Sequence, residues 1–277
     1  MSSSTDKGKS SHEQVAEIKI PLKAVNSDFL TCIAKYESWK RRSEKNFAPV
    51  FERTQGAHVF NLWSHTLIVD LLRDLICLMY NDNNKGCSLK GVFKLLKKKP
   101  LMKFFRNKYG KAGVEDSIES SRNAFSDGEG FSEGKLKTMA KIQEKEQKEK
   151  FDNLYETFDV GCQELFESEL FKNLKSARNK IMAHRDQTSV SGEPRVFTFS
   201  DFEICWGTAE EYMSKVRPLI EMAGVLICGI NYNYESYDEV WQNNADDFTR
   251  ILLNLNSDNL ETGNKKRFQS HYTPPLL

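Results

Sequence analysis

One short segment of the chain concentrates side chains that can do acid–base and phosphate chemistry. It runs from Leu174 to Asp186 and reads LKSARNKIMAHRD. A histidine has an unperturbed pKa of about 6.5, so His184 can take or give a proton near neutral pH. Arg178 can grip a phosphate through two parallel N–H bonds, which a lysine cannot do. This pair of groups suits the cleavage of RNA, whose own 2′-hydroxyl attacks once a base has removed its proton.

Helix geometry separates these two side chains. At 100° per residue, six steps place His184 about 120° around an ideal helix from Arg178. Three arrangements bring them together: the long arginine side chain reaches across, the helix distorts near its end, or a symmetric dimer joins Arg178 of one chain to His184 of the other. We favour the dimer, because a two-fold interface doubles every cation that faces the cleft.

A purely structural role for the same segment stays open. Arg178 can pair with a buried carboxylate such as Asp70 or Asp74. His184 and Asp186 then only cap the end of the helix, where the helix dipole favours a positively charged histidine. The sequence alone leaves both interpretations standing.

The elements that must position this segment are predicted to be helices, because apolar residues recur at steps of three and four. These helices fall at about residues 26–46, 57–81, 88–96, 151–178, 200–220 and 236–255. The second is the most apolar, so we expect it to be the central helix, with His65 in the core. No internal repeat and no convincing pair of hairpin strands is visible, so the predicted fold class is all-α.

The composition along the chain predicts one domain between two polar tails. Residues 1–25 and 256–277 are polar and cannot bury enough apolar area to offset the entropy of ordering. Within the domain, residues 90–111 hold nine Lys or Arg and no Asp or Glu, whereas residues 115–133 are acidic and predicted to form a loop. Residues 135–150 are charged in both signs and suit a solvated helix face.

The basic block at residues 90–111 is interleaved with aromatic side chains. This pattern favours a track for the RNA backbone, with Phe104, Phe105 or Tyr109 stacking on bases. The alternative is an amphipathic helix whose aromatic side chains belong to the core. The candidate RNA-binding residues are Lys97, Lys98, Lys99, Lys103 and Arg106.

Overall composition excludes several classes of protein. The 277 residues carry 40 Lys and Arg against 39 Asp and Glu, a net charge of +1 that argues against a protein coating DNA. The six cysteines form no CxxC pair, the step from Cys77 to Cys87 gives only half a zinc site, and no phosphate loop or HExxH motif occurs. The first residues do not resemble a signal peptide, and no apolar stretch suits a membrane span. We therefore expect a cytoplasmic protein without metal, cofactor or membrane contact.

The segment around Arg178 also resembles the Arg-x(4–6)-His motif of the HEPN superfamily, and specifically its abortive-infection AbiU-like branch. The resemblance covers roughly residues 30–230. It rests on Trp63 in a long apolar helix, on Asp82 followed by Ser88-Leu89-Lys90, and on Arg178-Asn179-Lys180 followed by Ala183-His184-Arg185-Asp186.

This resemblance implies an antiparallel helical bundle, often a homodimer, that in many members cleaves RNA without a metal. It nominates Arg178 and His184 as catalytic, with Asn179 as the polar residue that orients them. It further implies a ribonuclease of a phage-defence or toxin-like system, with an antitoxin or regulatory protein as a partner. A different class of function stays open: a non-catalytic helical module that binds a protein or RNA, since a fold does not fix a function.

Overall fold

The computed structural model describes residues 11–44, 56–80, 87–124, 132–183, 187–190, 193–205 and 207–258. Within these ranges nine α-helices form a bundle, and the all-α prediction is confirmed. The helices are α1 Ser11–Glu44, α2 Gly56–Met79, α3 Leu89–Leu96, α4 Lys99–Lys111, α5 Val114–Ala124, α6 Glu133–Glu167, α7 Glu169–Ala177, α8 Thr208–Cys228 and α9 Tyr234–Asp258.

Three short elements connect α7 to α8. They are a π-helical turn at Arg178–Ala183, an antiparallel pair of strands, β1 Gln187–Val190 and β2 Glu193–Val196, and a 3₁₀ turn at Phe199–Phe202. In the strand pair, Gln187 lies opposite Val196. The sequence pattern did not predict this ribbon, because its eight residues are mostly polar and show no clear alternation.

Helix α1 lies at the centre of the bundle, in contact with α2, α3, α8 and α9. Its fully buried side chains follow the helical period from one end to the other, at Ile18, Leu22, Val25, Phe29 and Ile33. The prediction of a polar tail at residues 1–25 is therefore wrong from Ser11 onward, and residues 1–10 lie outside the described part of the chain.

Pro21 explains why the first half of α1 looked unlike a helix. A proline inside a helix removes one backbone hydrogen bond and costs about 3 kcal/mol. Burial of one aliphatic side chain contributes roughly 1.5–3 kcal/mol, and Ile18, Leu22 and Val25 around the proline are all fully buried. The apolar face therefore outweighs the proline, and the helix continues through it.

Helix α2 is only half buried, so the prediction that it is the central helix is wrong. From Ile68 to Met79 it contributes to the core, but near its start Val59 and Leu62 are each 68% exposed and Trp63 is 40% exposed. The physical reason is that α1 occupies the centre, and its Lys35 bonds to Asp70 and Asp74 in the second half of α2.

The charged middle of the sequence is largely helical. The mixed-charge run at residues 135–150 forms the first half of α6, mostly exposed as predicted. The predicted acidic loop at 115–133 is wrong over residues 115–124, which belong to α5, and residues 125–131 lie outside the described residues.

At the other end of the chain α9 continues to Asp258, beyond the predicted boundary at 255, and residues 259–277 are likewise outside the described ranges. None of the described helices is long and apolar enough to cross a membrane.

Candidate active site

Helix α7 is a short element that holds the candidate arginine in place. Ser168 caps its start, with the Oγ accepting a hydrogen bond from the Phe171 N–H at 3.2 Å. Phe171, Leu174 and Ala177 then recur at every third residue and are all buried. Because the helix is fixed by its cap and by this apolar face, Arg178 at its C-terminal end has a defined position.

Arg178 and Asn179 interact directly. Arg178 is half-buried, and its Nη1 donates a hydrogen bond of 2.9 Å to the Asn179 Oδ1. The next residue, Lys180, is exposed, and its Nζ lies 5.8 Å from the centre of the Phe197 ring. Through its hydrogen bond, Asn179 lies where it can orient the guanidinium group of Arg178.

The backbone changes from α-helix to π-helix at Arg178, and the π turn continues to Ala183. A π turn closes i to i+5 hydrogen bonds, so it holds more residues than an α turn, and such turns occur frequently at functional sites. Distortion near the helix end was one of the three arrangements considered for joining Arg178 to His184, and the helix is distorted there. This turn was not predictable from the residue pattern, since Ile181 and Met182 continue the apolar pattern of an α-helix.

His184 itself lies outside the described residues, together with Arg185 and Asp186. The chain is described again at Gln187, where β1 begins. The segment that carries the histidine thus connects the π turn to the ribbon. Its pairing with Arg178, within one chain or across a dimer, stays a prediction.

The two carboxylates suggested as structural partners of Arg178 bind other cations. The Lys35 Nζ donates to Asp70 at 2.7 Å and to Asp74 at 2.5 Å, and Arg73 pairs with both carboxylates as well. The hydrogen bond from Lys35 is the main reason that the pKa of Asp70 lies below its ordinary value. Lys35 and Arg73 thus already neutralise much of this acidic pair, which weakens the case for Asp70 or Asp74 as the partner of Arg178.

The basic block forms α3 and α4, and the described structure pairs two of its five candidate cations. The Arg106 guanidinium makes two hydrogen bonds of 2.6 Å to Asp152, and the Lys97 Nζ lies 2.8 Å from Asp159. Lys98, Lys99 and Lys103 are exposed. Lys97 is exposed as well, but these three differ from it in having no described carboxylate as an ion-pair partner.

The aromatic side chains of the block divide in the same way. Phe105 is buried, and half-buried Tyr109 packs on Phe151 with ring centres 5.7 Å apart. Phe104 is 40% exposed. Phe105, and largely Tyr109, are thus core residues, as expected for an amphipathic helix. Phe104 remains the candidate for stacking on a base.

His65 is exposed, so its predicted place in the core is wrong. It lines a cavity of about 220 Å³ together with Phe199, whose ring centre is 6.4 Å from its own, and with Cys205. The pKa of the Cys205 thiol is lowered, first by a hydrogen bond from the Thr208 hydroxyl and then by the Gly207 N–H. The sequence did not point to this cysteine, because the predicted helix at 200–220 places it inside a helix, whereas α8 begins only at Thr208.

The bundle and its half-buried Arg178, followed by a polar residue and by a histidine six positions on, define a helical domain of the HEPN class. A family model described as AbiU2 matches residues 22–248, and the chain belongs to this HEPN family. Comparisons with curated proteins and with solved structures found no match. The matched region begins inside α1, at the fully buried Leu22.

Proposed function

We propose that this protein is a metal-independent endoribonuclease that acts in phage defence or in a toxin-like system. The observation that carries the proposal is the contact between Arg178 and Asn179 at the start of the π turn that leads to His184, in a chain of the AbiU2 family. An arginine held by a neighbouring amide at a distorted helix end is a suitable receptor for a phosphate group.

The proposed reaction uses the 2′-hydroxyl of the RNA as nucleophile. His184 removes the 2′-hydroxyl proton, the 2′-oxygen bonds to phosphorus, and the bond from phosphorus to the 5′-oxygen breaks with a proton returned to that oxygen. The products are a 2′,3′-cyclic phosphate and a 5′-hydroxyl. Arg178 stabilises the charge that grows on the non-bridging oxygens, and Asn179 is the residue that positions its guanidinium.

The active form in this proposal is a homodimer, with Arg178 of one chain near His184 of the other. Its support is an exposed apolar area where α2 and α9 meet. Trp63 and Phe248 lie edge to face with ring centres 6.0 Å apart, and each is at least 40% exposed. Leu62 and Ile251 extend the same area and are 68% and 41% exposed. Exposed apolar patches of this kind mark interaction surfaces.

The same apolar area favours the alternative function, a non-catalytic module that binds a protein such as an antitoxin or regulator. In that case Trp63→Ser abolishes capture of the partner while the protein cuts no RNA under any condition. In the ribonuclease proposal, Trp63→Ser instead lowers the molar mass measured by light scattering and lowers the rate of cleavage with it.

The decisive experiment is incubation of the purified protein with single-stranded RNA in EDTA. We expect cleavage by the wild type and a loss of cleavage in His184→Ala, with unchanged helicity and molar mass. His65→Ala is the matched control, because it removes an exposed histidine from α2 and should cleave like the wild type. Equal activity of His184→Ala and the wild type would contradict the proposal.

A further inference from the structure

A tyrosine ring and lysines from two helices meet close to Arg178. Tyr80 directly follows α2, and its ring centre lies 4.8 Å from the Lys90 Nζ and 4.2 Å from the Lys175 Nζ. Lys90 belongs to the first turn of α3, and Lys175 belongs to the last turn of α7. Two helices thus contribute lysines to one positively charged surface, around the residue that follows a third helix.

The ring that the lysines contact is held in place by other aromatic side chains. Tyr80 meets Phe171 edge to face at 6.2 Å, and Phe171 meets Phe166 in the same way at 5.5 Å. The Lys90 Nζ also lies 5.4 Å from the centre of the Phe166 ring. Both ammonium groups therefore rest on a packed aromatic platform, which limits the number of positions that they can occupy.

No acidic group balances this charge within the described part of the chain. Neither Lys90 nor Lys175, nor the neighbouring Lys94, has a described carboxylate oxygen within 4.0 Å. Burial holds the pKa of Lys90 below its ordinary value, and the positive charges of Lys94 and Lys175 lower it further. The lysines thus repel one another, and an anion bound between them would remove that repulsion.

We propose that Lys90, Lys94 and Lys175 form a binding site for a backbone phosphate of single-stranded RNA, beside the one at Arg178. Lys175 precedes Arg178 by three residues, which is a rise of about 4.5 Å and less than one turn of helix. A strand whose phosphate is held by Arg178 can therefore place another phosphate over the lysines. Lysine suits this task because its ammonium group acts as a point charge that needs no fixed orientation of the phosphate.

The choice of RNA as ligand rests on the proposed ribonuclease function, but the site can be tested without cleavage. The probe is a fluorescent oligonucleotide with 2′-O-methyl groups, which lacks the nucleophile and cannot be cut by the proposed reaction. Its affinity is measured by fluorescence anisotropy between 50 and 200 mM salt, for the wild type and for Lys90→Gln/Lys175→Gln. Circular dichroism and thermal denaturation verify that the variant folds.

We expect the double variant to bind more weakly and with less dependence on salt. Loss of one phosphate contact with a single strand reduces the slope of log K against log salt by about 0.7. If this contact contributes nothing at 1 M salt, the affinity at 0.1 M salt falls roughly 5-fold. The control is Lys135→Gln/Lys141→Gln, which removes the same charge from exposed positions of α6.

An equal decrease in slope for both double variants would show an effect of net charge alone and would overturn the site. An unchanged slope in Lys90→Gln/Lys175→Gln would overturn it too. If the lysines are needed to bind polyglutamate but not to bind the oligonucleotide, the proposal that RNA is the ligand of this site is wrong.

The failure of this site and the failure of the ribonuclease proposal give different results. If the wild type cuts no RNA but binds the oligonucleotide with a lysine-dependent salt slope, the proposed site is supported and the proposed enzyme activity is contradicted. If Lys90→Gln/Lys175→Gln cleaves RNA with the wild-type kcat/KM at low salt, the enzyme activity is supported and the proposed site is contradicted.

Discussion

Two positively charged regions of this bundle differ in what faces their cations. Both regions include lysines of the basic block at residues 90–111. In the part of the block from Lys97 onward, Arg106 and Lys97 bond to carboxylates of α6. Where α2, α3 and α7 meet, Lys90 and Lys175 lie against an aromatic ring, with no described carboxylate within 4.0 Å of either ammonium group. The part from Lys97 onward is the denser of the two along the sequence, but the charges of Lys97 and Arg106 are already paired. Charge density along a chain therefore does not show which cations remain available to an anion.

Replacement of the arginine near the lysines should have the strongest effect on activity. Arg178→Lys keeps the positive charge but loses the planar fork, so we expect kcat for RNA cleavage to fall about 10²–10³-fold, as for other lost transition-state donors. The measurement is a single-turnover cleavage assay with saturating protein. Full activity in Arg178→Lys would show that charge alone is needed there and that the contact with Asn179 has no catalytic purpose.

A second prediction concerns the ion pair that Arg106 of the basic block makes with Asp152. Asp152→Asn removes the partner of Arg106, so the freed guanidinium should bind RNA. One added phosphate contact steepens the salt slope by about 0.7 and strengthens binding roughly 5-fold at 0.1 M salt. Glu119→Gln removes an equal charge from an exposed position of α5 and serves as control. If both variants strengthen binding equally, the ion pair does not mask Arg106.

A third prediction concerns the helix that carries both Lys175 and Arg178. Ser168→Ala removes the cap of α7 and should lower the free energy of unfolding by about 1 kcal/mol. It should also reduce kcat/KM, because the cap sets the position of the site. Ser132→Ala removes the corresponding cap of α6, whose first turn is exposed, and should affect stability only. Thermal denaturation and cleavage assays on both variants test this, and equal losses of activity would contradict it.

The smallest predicted effect is a change in the pKa of Lys90. Its pKa lies below the ordinary value of 10.5, so the unfolded chain binds more protons and stability rises with pH just below 10.5. Lys175→Gln removes one of the repelling charges and should raise the pKa of Lys90 and weaken that pH dependence. NMR titration of the lysine side chains measures the shift, with Lys172→Gln as control because Lys172 pairs with Glu169. A pKa of Lys90 that stays the same or falls would contradict the predicted repulsion.

The fold class was predictable because the apolar period is strong, but the centre of the bundle was not recognised. Ile18, Leu22, Val25 and Phe29 carry the helical period visibly in the sequence. The polar N-terminus and Pro21 obscured it, since a proline normally ends a helix unless a buried face outweighs its cost. The ribbon was missed because four-residue strands with mostly polar side chains give almost no signal.

The site was only partly predictable for a different reason. The types and spacing of Arg178, Asn179 and His184 identify the segment, and the contact between the first two is in place. The ion pair of Arg106 with Asp152 joins residues 46 positions apart, and the lysine cluster joins α3 to α7. Such contacts depend on how helices pack, which local patterns do not contain.

The most direct test of the account is the identity of the cleavage products. An oligodeoxynucleotide with a single ribonucleotide should be cut by the wild type in EDTA only after that ribose, to give a 2′,3′-cyclic phosphate and a 5′-hydroxyl, as identified by mass spectrometry. His184→Ala and Arg178→Ala should each lower the rate at least about 10²-fold. Products ending in a 3′-hydroxyl, or cleavage that both variants retain, would contradict the claim that Arg178 and His184 carry the chemistry.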